Sequence, residues 1–205
     1  MFCVSHQQYR MKGLLVLPVL LFLLFGSPAS ADFQKGSDAA QKGDYATAFK
    51  EWKPLAEKGN AEAQNSLGYM YSIGQGVKQD YKTAFKWYRL SAEQGNVEAQ
   101  YNLGLMYDEG YGVSQNDKAA STWYTLAAKK GYASAQYNLA LMYGTGRGVI
   151  KNYTRAHMWW GISASQGIKD AAWNRDMVGK VMTPFQIEKA QRLAHDCVAK
   201  NYKDC

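Results

Sequence analysis

One stretch of sequence occurs three times in this chain, at a fixed spacing of 36 residues. The copies are GNAEAQNSLGYMYSIGQGV from Gly59, GNVEAQYNLGLMYDEGYGV from Gly95 and GYASAQYNLALMYGTGRGV from Gly131. Columns of alanine, tryptophan and tyrosine continue the match outside these stretches. A period of roughly 20–50 residues indicates small structural units that stack on one another.

Each unit contains two amphipathic helical patterns. In the first of them, over residues 99–109, the apolar residues at helical spacing are Ala99, Leu103, Met106 and Tyr107. A second stripe covers residues 117–130, and Gly131 follows it at the place where a helix is expected to end. A single hairpin cannot bury its own apolar stripe, but stacked neighbours can. The pattern therefore predicts an all-α solenoid of helix pairs.

The repeated residues also resemble a known family. The segment AEAQNSLGYMYSIGQGVKQDYKTAFKWYRLSAEQG from Ala61 resembles the Sel-1-like repeat, a relative of the tetratricopeptide repeat with a longer loop between its helices. The motifs A-x-x-x-L-G-x-x-Y, G-x-G-V and A-x-x-W-Y stand at fixed offsets, and the resemblance covers about residues 44–179. It implies a right-handed α/α superhelical solenoid of about four helix pairs plus capping helices, used mainly to hold other proteins.

The two ends of the chain depart from the repeat. Residues 1–31 contain Lys12, an apolar run over residues 14–25 and the sequence Ala29-Ser30-Ala31, which together predict a secretory signal peptide cleaved after Ala31. Residues 32–43 predict an N-terminal capping helix, residues 44–182 the repeats, and residues 183–205 a C-terminal capping helix and tail. Thr183 and Pro184 suit the N-cap and the first position of that last helix.

Export restricts where the protein works and what it meets. We expect a periplasmic or secreted monomer, with a bacterial periplasm favoured over a eukaryotic secretory lumen. Because no apolar segment after residue 31 is long enough to span a bilayer, we expect no stable membrane anchor once the signal is removed. Signal cleavage would remove Arg10 and Lys12 and lower the formal charge from +7 to +5, which is mildly basic and favours acidic partners or an anionic envelope surface. Export argues against nucleic acid as a ligand.

Two cysteines, Cys197 and Cys205, remain when Cys3 leaves with the predicted signal peptide. An even number of cysteines in an exported chain favours a disulfide between them. Two free thiols at the end of the chain are the alternative.

The resemblance also places a binding face. Tetratricopeptide relatives bind extended peptides on the concave face, which the first helix of each pair lines. Carried over in register, the partner-binding residues are Glu62, Asn65, Tyr69, Glu98, Tyr101, Leu105, Asp108, Tyr137, Leu141 and Trp173. Aromatic rings and amides stack on and hydrogen-bond peptides, and the acids favour a basic one. The alternative is that these side chains pack in the core between units.

The sequence lacks the signatures of catalysis and of cofactor binding. GTGRGV from Gly144 resembles a phosphate-binding loop, but it lacks the G-K-[ST] ending and recurs as a joint in the other units. His157 and His195 do not have zinc-site spacing, and neither S-x-x-K nor G-x-S-x-G occurs. We therefore expect no metal, no cofactor and no catalytic residue.

These observations favour a non-catalytic adaptor or scaffold that binds a protein or peptide. One alternative is a cell-envelope protein that binds or hydrolyses β-lactams or acts on peptidoglycan. Some cysteine-rich members of the family are associated with β-lactams, but those carry a disulfide in nearly every repeat, and this chain does not. A regulatory subunit of an envelope enzyme or sensor is a further alternative.

Overall fold

The structure is a computed structural model that describes residues 28–203 and Cys205, with side chains described from Asp32 onward. The predicted signal peptide, except for the first turn of the first helix, lies outside the described residues. Ten α-helices follow one another in this part of the chain, and it contains no strand, so the all-α prediction is confirmed. The helices are α1 (Pro28–Gln41), α2 (Tyr45–Glu57), α3 (Ala61–Ile73), α4 (Tyr81–Glu93), α5 (Val97–Glu109), α6 (Asp117–Ala128), α7 (Ala133–Thr145), α8 (Tyr153–Ser165), α9 (Lys169–Gly179) and α10 (Pro184–Ala199).

The helices stack as hairpins. We call α1, α3, α5, α7 and α9 the first helices and the others the second helices. Helices α1, α3, α5 and α7 each pack against the second helix that follows. Each of those second helices, α2, α4, α6 and α8, then packs against the next first helix. The repeated Leu67, Leu103 and Leu139 are almost fully buried between the helices. Apolar contact between units is therefore continuous along the chain, as a solenoid requires.

The same residue types start and end the helices in successive units. Asn60 and Asn96 accept a hydrogen bond from the backbone N–H three residues later, which caps α3 and α5. Gly74, Gly110 and Gly146 end α3, α5 and α7 in the left-handed conformation, which glycine adopts without strain. Helices α3, α5 and α7 are each 13 residues long.

The G-x-G-V loop joins each unit to the one before it. In two of the three loops the variable residue contacts the first residue of the preceding second helix, 30 positions earlier. The ring of Tyr111 stacks on Tyr81 with centroids 5.0 Å apart, and Arg147 forms an ion pair with Asp117 at 2.7 Å. The glycine that follows lies directly against the same helix start, because a Cβ on Gly148 would collide with the Asp117 carbonyl. The loop therefore sets how closely two units approach.

A buried glutamine adds a polar contact between units. Gln64 and Gln136 each donate to a carbonyl oxygen of the preceding second helix, at 3.0 and 3.2 Å. Their side-chain oxygens accept from Gln94 and Gln166, each at 2.7 Å, which are the C-cap residues directly after α4 and α8. Because a buried amide without partners is costly, these bonds favour one register of stacking.

The last helix departs from the regular arrangement. Helix α10 packs against α8, and it starts with a capping box in which Thr183 and Gln186 exchange hydrogen bonds. A disulfide joins Cys197 in α10 to Cys205, with Cα atoms 5.3 Å apart, and so holds the tail against the helix. None of the described helices has the length and apolar character needed to cross a membrane.

Candidate functional site

The sequence-predicted binding residues all lie on first helices, and nine of the ten reach the surface. Tyr69 and Trp173 are the most exposed aromatic residues among them, at 52% and 65%. Glu62, Glu98 and Leu141 are also exposed, and the other four are half-buried. We call this set the first-helix face; it consists of Glu62, Asn65, Tyr69, Glu98, Tyr101, Leu105, Tyr137, Leu141 and Trp173.

Contacts between neighbouring first helices make the face continuous. The Asn65 amide nitrogen donates to Glu98 Oε2 at 3.1 Å, which connects α3 to α5. The Asn174 amide nitrogen donates to the Tyr137 hydroxyl at 3.1 Å, which connects α9 to α7. Two of the predicted side chains, Asn65 and Glu98, therefore meet across neighbouring units, and Tyr137 contacts the following first helix through Asn174, as expected of a binding surface for an extended segment.

Tyr101 is held between two other tyrosines. Its ring centroid lies 6.0 Å from that of Tyr124 and 5.1 Å from that of Tyr132. Burial raises the pKa of the Tyr101 phenol, and Tyr132 adds to the rise, so the phenol stays neutral at physiological pH. The packing fixes one edge of this ring and leaves the remainder at the surface.

Tyr132 is a site residue that the sequence analysis missed. It stands where Asn60 and Asn96 cap the earlier first helices, and α7 has no side-chain cap. A missing cap typically costs about 1 kcal/mol. At this position the chain instead has a side chain whose ring lies next to that of Tyr101. The missing asparagine was a signal that could have drawn attention to Tyr132, although α9 also starts without a side-chain cap, at Ile168.

Asp108 does not belong to the exposed set. It is only 8% exposed, and its carboxylate accepts from Arg147 and, at 3.1 Å, from the Tyr124 hydroxyl. The hydrogen bond to Asp117 and the attraction to Asp108 raise the pKa of Arg147 above its ordinary value. The predicted role of Asp108 as an acid that meets a basic partner is therefore corrected: its charge is neutralised inside the stack.

The two remaining acids of the face border a shallow depression between α3 and α5. The depression has a volume of about 380 Å³, and its lining includes Glu62, Glu98, Asn65 and Phe33. The Asn65 side-chain oxygen is buried and has no hydrogen-bond partner among the described residues. The two carboxylates give this lining a negative charge, so it suits a ligand group rich in hydrogen-bond donors.

The histidines lie apart from one another and from the first-helix face. His157 is on α8 and His195 is exposed on α10. In the part of the chain that the structure describes, no three histidine, cysteine, aspartate or glutamate side chains come together as metal ligands would.

Comparison with known proteins gives three family matches and two informative structural ones. Residues 61–96, 97–132 and 133–168 each match the Sel1 repeat family. The chain is similar in structure to a Sel1 repeat protein from Oxalobacter formigenes, with 30% identity and a TM-score of 0.70 over 80% of this chain and 75% of that one. No curated protein matches the sequence.

A second solved structure shows the same fold at lower similarity. It is c5321, a protective antigen of uropathogenic Escherichia coli strains that displays an SLR fold. Its identity to this chain is 24% and the TM-score is 0.53, over 85% of this chain and 47% of c5321. This chain therefore spans about half the length of c5321, and the likeness concerns the fold alone.

Proposed function

The chain belongs to the Sel1 repeat family, whose members are commonly protein-interaction scaffolds, and on that premise we propose that it is a non-catalytic adaptor that binds a protein or peptide on its first-helix face. One observation carries the proposal. The face has members on α3, α5, α7 and α9, and it leaves the large side chains of Tyr69 and Trp173 exposed to solvent. Exposed aromatic side chains on a continuous surface are typical of protein interfaces.

The chemistry of the face points to a basic segment of the partner. Glu62 and Glu98 place two carboxylates beside the depression between α3 and α5, and Asn65 adds a buried acceptor. Lysine, arginine or an amino terminus supplies the donors that such a lining needs. Tyr69 and Trp173 then contact apolar parts of the same segment. We propose that this binding takes place in the periplasm or outside the cell, on the strength of the signal peptide predicted for residues 1–31.

Substitutions at exposed positions test the proposal without weakening the fold. Affinity capture from the native compartment should return a stoichiometric partner. With that partner, we expect Tyr69→Ser and Trp173→Ser each to weaken binding about tenfold or more, because exposed aromatic side chains that become buried at an interface are typical hot spots. Isothermal titration calorimetry measures the loss. Tyr101 and Tyr137 are less suitable test positions, since both also take part in packing between units.

Leu126 provides a matched control. It is an apolar side chain of similar exposure to Leu141, but it lies on the second helix α6. Leu126→Ser should leave both the affinity and the thermal unfolding temperature nearly unchanged. The assignment of the first-helix face would be refuted if both face variants bound the captured partner as tightly as the wild type does. It would also be refuted if Leu126→Ser lost more affinity than they do.

A further inference from the structure

A cleft opens at the C-terminal end of the stack, where the repeat loses two aromatic side chains. Phe49 and Phe85 each pack edge-on against the tyrosine 22 residues later, with ring centroids 6.0 and 5.4 Å apart. The third unit lacks the phenylalanine and keeps the tyrosine. The fourth unit has His157 in place of the phenylalanine and Gly179 in place of the tyrosine. The space that the rings would fill is part of a cleft of about 660 Å³ between α8, α9 and α10.

The floor of the cleft is a buried histidine. His157 is 7% exposed and lines the cleft with its ring, and a Cβ on Gly179 would lie 3.9 Å from His157 Cδ2. Burial lowers the pKa of His157, and the nearby charge of Arg175 lowers it further, against a smaller opposing effect of Asp176. The ring is therefore neutral at pH 7, with one nitrogen as a donor and the other as an acceptor.

One wall of the cleft is cationic. Arg175 and Lys180 line it from α9, together with a single acid, Asp176. Arg175 Nε and Nη2 donate to Asp176 Oδ1 at 2.9 and 2.7 Å, so its Nη1 group has no partner among the described residues. Among the described residues, the recorded hydrogen bond of the Lys180 ammonium is to the sulfur of Met177, at 3.4 Å. This wall therefore holds more hydrogen-bond donors and positive charge than its one carboxylate uses.

The opposite wall is mainly apolar. Helix α10 contributes Ile187, Ala190 and Ala194 to the lining, together with the uncharged amide of Gln191. A donor-rich wall that faces an apolar wall suits a ligand with an anionic group beside an apolar side chain. The volume lies in the range of roughly 300–1,000 Å³ that is usual for small-ligand sites.

We propose that this cleft binds a carboxylate next to an apolar side chain, as found at the carboxyl end of a peptide or in a single amino-acid derivative. Arg175 presents its planar guanidinium to the carboxylate, Lys180 adds a second positive charge, and His157 donates a hydrogen bond. Ile187 and Ala190 receive the apolar side chain. None of these residues belongs to the first-helix face, so the site is separate from the proposed adaptor function and goes beyond it.

NMR titration of the purified protein tests the proposal with defined probes. The probes are N-acetyl-Ala-Leu with a free carboxylate, the same dipeptide as its C-terminal amide, and N-acetyl-Leu. We expect the free acid to shift the backbone amide signals of residues around His157 and Gly179 in a saturable manner, and the amide to bind at least tenfold more weakly. A stronger response to the dipeptide indicates a peptide end, and an equal response to N-acetyl-Leu indicates a single amino-acid derivative.

Two variants separate the cleft from general effects on the fold. Gly179→Tyr restores the tyrosine of the earlier units, which should fill the cleft and reduce binding at least tenfold. Arg175→Gln removes the guanidinium from a partly exposed position and should have a similar effect without unfolding the protein. The site would be disproved by equal shifts with acid and amide, by the absence of saturable shifts, or by undiminished binding to folded Arg175→Gln protein. Trp173→Ser, a variant of the first-helix face, should bind the dipeptide normally.

Discussion

Alanine at Gly148 should lower the free energy of unfolding by about 3–5 kcal/mol. Gly148 has a φ of +65°, in the left-handed region that costs an L-residue roughly 1–2 kcal/mol. In addition, the new Cβ would collide with the backbone carbonyl of Asp117 at the start of α6. Backbone cannot move aside as a flexible side chain does, so the loop of one unit would be forced away from the unit before it. Urea denaturation followed by circular dichroism measures the loss.

Alanine at Gly167 separates the cost of backbone strain from the cost of the collision. It also has a positive φ, +97°, but nothing lies within 4 Å of the position where its Cβ would be. Gly167→Ala should therefore cost only the backbone strain, about 1–2 kcal/mol. If the two alanine variants lost the same stability, close packing at the G-x-G-V joint would not be what holds successive units together.

Arg147→Met should cost about 2–4 kcal/mol, because it leaves the buried carboxylate of Asp108 without its cationic partner. The value lies below that of a fully buried pair, since the Arg147 side chain is 38% exposed and water screens part of the interaction. The same substitution removes the ion pair with Asp117, so contacts to two helices of the preceding unit are lost together. Thermal unfolding of the variant and the wild type provides the comparison.

A second substitution shows whether the stability lost in Arg147→Met comes from an unpaired buried charge or from lost packing. Asp108→Asn in the Arg147→Met background removes the uncompensated carboxylate and should recover part of the stability, which a double-mutant cycle quantifies. Arg175→Met is the matched control: Arg175 is about as exposed as Arg147, but its partner Asp176 is 65% exposed where Asp108 is buried, so this ion pair should contribute less than about 1 kcal/mol. An Arg147→Met loss no larger than that of Arg175→Met would contradict the structural role assigned to the network.

The helical stack could be predicted from the sequence because the information that specifies it is local. Apolar stripes at helical spacing, Asn60 and Asn96 at helix starts, and Gly74 and Gly110 at helix ends all act within a few residues of themselves. Their repetition at one spacing then requires stacking. The exact bounds were less certain: α1 begins at Pro28, whereas the sequence placed the start of the capping helix at residue 32.

The contacts between units were not predictable in the same way. Arg147 is the variable residue of a loop, and nothing near it in the sequence shows that it reaches Asp117 and Asp108 in the preceding unit. From its position on the helix alone, Asp108 was expected to be a free acid at the surface. The contact with Arg147 from the next unit explains why it is buried instead. The surrounding stack, and not the helix itself, decides which polar side chains remain available for a partner.

The proposed binding face was only partly predictable from the sequence. The family resemblance placed it on the first helices, where Tyr69 and Trp173 are indeed exposed. The half-burial of Tyr101 depends on Tyr132, which lies in the next unit and replaces an asparagine cap. Similarly, the cleft beside α10 becomes apparent only when His157 and Gly179 are compared with the aromatic pairs of earlier units.

Hydroxyl-radical footprinting with mass spectrometry, applied to the protein alone and with its captured partner, tests the central claim most directly. The method reports the solvent access of individual side chains. Binding on the first-helix face predicts that oxidation of Tyr69 and Trp173 falls sharply in the complex, whereas Tyr81 and Tyr111, which are exposed outside the face, react as before. Protection of Tyr81 and Tyr111 with unchanged oxidation of Tyr69 and Trp173 would contradict the account.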